Sequence, residues 1–386
     1  MPFVSAVSHF VIAWLLAVAT NWISLFAWRR AAAAHWTERA RLLWPVRVTA
    51  GLNVFGFTLL LLQLHWLISP HTMKWYISDG LGSFVGAALG CYHLQKAIFP
   101  QLTFSNWWKQ LVLGWGIRFG LIAPYIAALV LMPEKFGLKM VLIAGGYLAL
   151  HFALQWGLLL KILQRMGALK PAGLRLQKIV DAFAEQMKVK VRATWQIGGL
   201  TANAFAIITI RELIFTNPLL KVCTDEEVAS ICVHELAHLT ESKMVLAGRL
   251  LTSLIFFPFI FIHLLLYQWS LAGLFFPYLW VIIVSISTRH LSRRMEKRAD
   301  QMAAQEQTNA SIYAGALEKL YRENRIPAVM PGNRHAHPHL YDRMLAAGIT
   351  PDFPRPVPPK KLTPWGWVYL VLLIIISSYD ASLVFS

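Results

Sequence analysis

Residues 224–241 read TDEEVASICVHELAHLTE. Thr224 followed three residues later by Glu227 is a capping box, in which each side chain satisfies the other's backbone N–H at the start of a helix. Asp225 and Glu226 add negative charge where a helix N-terminus favours it. The stretch therefore predicts a helix opening at Thr224. On that helix His234 and His238 lie one turn apart on one face, where two imidazoles can bind a single ion. Glu235 stands beside them, placed to act on a water rather than to ligate. A motif of this kind turns up by chance in a chain of this composition about once in a hundred times, so its surroundings decide what it means.

Immediately upstream, residues 174–187 (LRLQKIVDAFAEQM) have helical apolar spacing. VRATWQI (191–197), a Gly198-Gly199 turn, NAFAIITI (203–210) and ELIFT (212–216) follow as short strands. A catalytic zinc needs a third protein ligand. The candidate lies downstream, in residues 292–303, SRRMEKRADQMA. Glu296 and Asp300 are i and i+4 on a helix, so both carboxylates face one way. One can bind zinc while the other accepts the outer N–H of a ligand histidine and fixes its tautomer. The competing reading is a solvated helix on which the two acids balance Arg293, Arg294, Lys297 and Arg298.

Outside these segments the chain is apolar. Of its 386 residues 57% are hydrophobic and 14% charged, well below the quarter that a soluble surface carries. Apolar runs of membrane length cover 7–28, 48–69, 79–99, 111–132, 140–162, 246–268, 271–288 and 366–385, about eight crossings. The expected organisation is a five-span membrane domain (1–162), a first catalytic part (163–245), two spans (246–288) and a second catalytic part (289–350). A Pro-rich linker (351–365) and a last span (366–386) complete it. The first run has no basic residue ahead of it and is not read as a removable signal peptide.

The net charge is +17, but the Lys and Arg residues flank apolar runs, and no zinc-finger or RNA-binding signature occurs, so a nucleic-acid partner is not expected. Five arginines between 29 and 47 place that loop on the cytoplasmic side, and alternation then puts both catalytic parts there too. Cys91, Cys223 and Cys232 lack CxxC spacing and read as core residues. The chain ends without a KDEL-type signal, and the expected location is a bacterial inner membrane with a cytoplasmic catalytic domain. His65, His93, Arg118, His151 and Asp380 fall inside apolar runs, where ionisable groups are costly and often functional.

HELAH, two apolar runs and then SRRMEKRADQMA resemble the family of integral-membrane zinc metallopeptidases that includes HtpX and the CAAX prenyl protease type 1. Asn203-Ala204-Phe205-Ala206 upstream, and His337-Pro338 with Arg343 downstream, match that family's order over about residues 174–345. The layout is closer to the CAAX type, and the eighth run departs from both. The resemblance implies a mainly α membrane protein with an α+β, zincin-like catalytic domain built on a small sheet and the HExxH helix. It implies one zinc per chain held by His234, His238 and Glu296, with Glu235 as general base and Asp300 orienting a ligand histidine. Asn203 would sit on the strand that pairs with substrate, and His337 would stabilise the oxyanion with Arg343 in support. His335 and His339 lie close by, so the choice of His337 rests on Pro338.

The expected activity is hydrolysis of peptide bonds in membrane-associated or misfolded proteins, with a peptide or protein substrate and the lipid bilayer as partners. A catalytically silent scaffold or transporter that retains the metal site is the alternative. A zinc placed inside the bilayer is disfavoured by the charges of TDEE before the motif and TESK after it.

Overall fold

A computed structural model describes residues 2–68, 73–305, 310–331 and 339–385. It is mostly helical, with one small mixed sheet. The chain divides into two compact units. The first comprises Met1–Lys109, Arg325–Gly332 and Arg355–Ser386, and the second Gln110–Asn324 and Asn333–Pro354.

In the first unit, helices Pro2–Ser24, Trp36–Ile68 and Met73–Ile98 pack together, with the C-terminal helix Pro364–Phe385 joining them. The closest pair is Pro2–Ser24 against Met73–Ile98. Small residues every fourth position make this approach possible. A Cβ at Gly82 would collide with the Ala6 carbonyl oxygen, and one at Gly86 with that of Phe10. Backbone thus meets backbone, as in small-xxx-small contacts between membrane helices. Ala13, Ala17, Phe57, Leu61, Ala87 and Tyr369 form the core of this unit.

The second unit holds the sheet, in the order β1 (Leu169–Pro171), β2 (Ala193–Ile197), β4 (Glu212–Thr216), β3 (Ala204–Ile207). Strands β2 and β4 are parallel, while β1 and β3 pair antiparallel at the two edges. The sheet and helix Leu174–Gln186 bury Leu176, Val180, Leu213 and Phe215 against Val228, Cys232, Leu236 and Leu239 of the helix Asp225–Leu239. Those last four recur at helical spacing, so the face opposite His234 and His238 is fixed to the core. The helix Leu138–Ala153 and its continuation Leu159–Arg165 are separated by a wide turn in which Gly157 takes φ 101°. A glycine suits that break because a Cβ would strain it.

Among the described residues, four helical stretches are long and apolar enough to cross a membrane: Phe3–Arg30, Trp36–His65, Leu138–Arg165 and Lys243–Gln305. A fifth exists if Phe104–Ile117 and Gly120–Leu131, bent by 41°, are one span. The expected count of about eight exceeds this. Met73–Ile98 mixes Asp79, His93 and Lys96 among its apolar residues. Residues 243–274, expected to hold a span ending at 268, fold as short pieces, the longest being Lys243–Ser253 and Ile262–Trp269. Helix Phe275–Gln305 then runs unbroken from its apolar start into the polar segment that carries Glu296.

Candidate metal centre

The histidine helix starts as its sequence dictates. The Thr224 hydroxyl accepts from the Glu227 N–H, and the Glu227 carboxylate accepts from the Thr224 N–H. Lys319 also pairs with Glu227, at 2.7 Å. At the other end, Arg298 donates to the Ala237 carbonyl, the Thr240 hydroxyl and the Glu241 carboxylate. A guanidinium there satisfies end carbonyls and complements the helix dipole. Arg298 belongs to helix Phe275–Gln305, so this clamp also fixes the position of Glu296, two residues before it. The competing picture of a solvated helix is not what is found, since Met295, Glu296 and Ala299 are all buried.

The clamp brings the two parts of the site together. His234 and His238 have ring centroids 4.9 Å apart, nearly perpendicular. His234 Nε2 lies 3.6 Å from Glu296 Oε2, and His238 Nε2 lies 3.7 Å from Glu296 Oε1. One ligand atom from each of the three residues falls within 4.8 Å of the others, and all three residues are buried. Glu235, also buried, follows His234 on the same helix.

Behind His234 stands a polar cluster. Its Nδ1 is 2.9 Å from the Tyr313 hydroxyl and 3.2 Å from Asp300 Oδ1. Tyr313 donates to Asp300 at 2.6 Å, and Arg343 donates to both Asp300 oxygens and to the Tyr313 oxygen. With its own proton given to Asp300, the Tyr313 oxygen can only accept. Nδ1 thus faces acceptors alone and carries a proton, which leaves Nε2 as the nitrogen turned toward Glu296 and His238. Burial works against charge on His234, but the hydrogen bonds it donates to the Asp300 and Glu296 carboxylates outweigh it and raise its pKa to about 9. Burial drives the Tyr313 phenol well above its usual range, so it stays a neutral donor.

The sequence candidates therefore divide as follows. His234, Glu235, His238, Glu296 and Asp300 come together. Arg343 is buried and engaged with Asp300 and Tyr313, on the Nδ1 side of His234. Asn203 precedes β3, exchanging hydrogen bonds with Thr216. His337 and His335 lie outside the described residues, as do the side chains of Arg118 and Asp380. Tyr313 and Arg298 were not anticipated. Tyr313 sits on the buried face of helix Ala310–Asn324, beside Ala314 and Leu317, and an apolar-face tyrosine gives no sign of a polar role.

The donor set fits zinc. Two imidazoles and one carboxylate are the ligands of known catalytic zinc sites, which keep a further position open. Ligands about 2.0–2.1 Å from a tetrahedral metal lie roughly 3.3 Å apart, close to the 3.6 and 3.7 Å seen here.

The family model of Peptidase family M48 matches residues 172–348. Over that segment the chain is similar to peptidase family M48. The matched segment begins just after β1 and ends just after the helix Leu340–Ala346, so it takes in the histidine helix, Glu296, Asp300, Tyr313 and Arg343. The similarity points to a metallopeptidase. No curated protein matches the chain.

Proposed function

We propose that this chain is a membrane-embedded zinc metalloendopeptidase that hydrolyses peptide bonds of membrane-associated or misfolded proteins. The observation that carries the reading is the convergence of His234 and His238 with Glu296, which lies 58 positions after His238 on another helix, on one buried point beside Glu235. His234, His238 and Glu296 would hold the ion. Zinc bound there supplies a Lewis acid that polarises a carbonyl and brings the pKa of a water toward neutrality.

The protein's own groups supply the rest. Glu235 takes the proton of the attacking water and delivers it to the leaving amine. Asp300 and Tyr313 hold the proton of His234 on Nδ1 and so keep its ring oriented. Arg343 keeps Asp300 ionised and in place, a supporting part rather than a contact with substrate. An extended peptide would lie along β3, an edge strand of the sheet, by adding a strand to it. A site that reads backbone in this way favours chains already unfolded.

Glu235→Gln is the direct test. It should retain one zinc equivalent at the His234–His238–Glu296 site while cleavage of an unfolded reporter such as casein falls by at least a hundredfold. Wild-type turnover in that variant would sink the assignment. Zinc-loaded wild-type protein that cleaves no substrate in a chelator-sensitive way would favour the silent scaffold.

A further inference from the structure

A second cluster with the same kinds of donor lies in the other compact unit. His9 is in the second turn of Pro2–Ser24, His65 in the last turn of Trp36–Ile68, and Asp79 in the second turn of Met73–Ile98. His9 and Asp79 lie near the starts of their helices and His65 near the end of its own, and the three come together there. The Gly82 and Gly86 contacts set the register that brings His9 beside Asp79. His65 Nδ1 is 2.7 Å and His9 Nδ1 3.7 Å from oxygens of Asp79. The two imidazoles stack with centroids 5.0 Å apart. One ligand atom from each residue lies within 4.8 Å of the other two.

Asp79 is wholly buried, and its oxygens meet the two imidazoles as close ion-pair contacts, with no well-aligned hydrogen bond to either oxygen among the described residues. A carboxylate so placed needs a compensating positive charge. Water is a poor source, since Val7, Val11, Ile12, Ile77 and Leu81 give these helices an apolar exterior. The remaining partners are the two imidazoles, each about one-eighth exposed. His9 Nδ1 also lies 2.9 Å from the Ser5 carbonyl. A carbonyl can only accept, so that contact puts the proton on Nδ1 and the lone pair on Nε2. Two nitrogens and one carboxylate oxygen from three helices form a set suited to a divalent transition metal.

We propose that His9, His65 and Asp79 form a second divalent-cation site, of the zinc class, separate from the M48 centre. The cation neutralises Asp79 and ties together the three helices that contribute its ligands. The proposal does not depend on the peptidase reading, because no residue is shared.

Metal content per chain tests it. Full-length protein in detergent is stripped with chelator, dialysed against zinc, desalted and measured by mass spectrometry of the metal. Wild type should hold two equivalents, Asp79→Asn one, His238→Ala one, and the combined variant none. One equivalent in wild type that persists in Asp79→Asn would overturn the site and leave a shared proton between His65 and Asp79 in its place. Two equivalents in Asp79→Asn would overturn it equally. One equivalent in wild type that survives His238→Ala but not Asp79→Asn supports this site and sinks the M48 one instead. Should Asp79→Asn fail to fold, X-ray absorption of the zinc left in His238→Ala decides. Two imidazole ligands support the site, and no zinc or no imidazole overturns it.

Discussion

The hydroxyl of Tyr313 touches His234, Asp300 and Arg343 at once, and its removal isolates what that cluster contributes. In Tyr313→Phe, Asp300 still faces Nδ1, but the ring loses one of two partners and Arg343 loses an acceptor. Outer partners of a ligand histidine are worth about 10–100-fold in metal affinity, so zinc should bind roughly tenfold more weakly in a competition titration, with the fold intact by circular dichroism. A second expectation concerns pH. The folded, metal-free His234 has a pKa of about 9, above the 6.5 of a free histidine. Its charge therefore stabilises the metal-free protein fully below pH 6.5, and that contribution is lost as pH rises through 9. Zinc competes for the same nitrogen, so apparent zinc affinity should rise by up to tenfold per unit over this window while the melting temperature of chelated protein falls. Zinc affinity flat with pH would show that His234 does not ligate. Of these residues Asp300 was legible, because i+4 spacing from Glu296 put both acids on one face. Tyr313 was not, since no pattern in sequence couples it to a histidine 79 positions earlier.

The edge strand β3 is the element on which substrate binding would depend. Its ladder with β4 places Phe205 opposite Ile214 and Ala206 opposite Leu213, and Thr216 N–H donates to the Asn203 carbonyl. In an antiparallel pair, hydrogen-bonded and non-hydrogen-bonded pairs alternate. Asn203, Phe205 and Ile207 thus bond inward, while Ala204 and Ala206 direct their backbone outward. The Ala204 N–H is already taken by the Asn203 side chain at 3.0 Å, which leaves the Ala206 N–H as the outward donor. Proline is tolerated at an edge position whose N–H faces away from the sheet. Ala206→Pro should therefore keep zinc and fold yet raise KM for peptides about fivefold to tenfold, the worth of one hydrogen bond of roughly 1 kcal/mol. Unchanged KM would place the substrate elsewhere. The strands β2, β3 and β4 were readable from their apolar runs. The order β1-β2-β4-β3, which makes β3 an edge, was not, because strand order depends on tertiary pairing. Strand β1 was missed because three residues ending in Pro171 carry no period.

At the scale of the molecule, the apolar helices and the arginine-rich segment 29–47 bear on which side of a bilayer residues 172–348 would occupy. The length and composition of the apolar runs were legible, but their number as crossings was not. Hydropathy alone cannot distinguish a span from apolar pieces such as Lys243–Ser253 and Ile262–Trp269, nor predict that Pro364–Phe385 packs with the N-terminal helices through Tyr369. The positive-inside rule weighs short loops near the ends of spans. By that rule Arg29, Arg30, Arg39, Arg41 and Arg47 would be cytoplasmic, and the near-neutral stretch 133–139 would lie on the other side if both Met73–Ile98 and Phe104–Leu131 cross as the hydropathy reading expects. Residues 133–139 and the segment 172–348 are joined by the helical stretch Leu138–Arg165, long enough for one crossing. Glu134 and Lys188, both exposed, should therefore lie on opposite faces of the membrane. In a background with Cys91, Cys223 and Cys232 replaced by alanine, an impermeant thiol reagent should label Glu134→Cys in intact cells and Lys188→Cys only after permeabilisation. The reverse pattern would put the peptidase domain outside, where its substrates would be extracytoplasmic. Labelling of both in intact cells would show that Leu138–Arg165 does not cross, and its break at Gly157 would then mark a helix that turns along the surface.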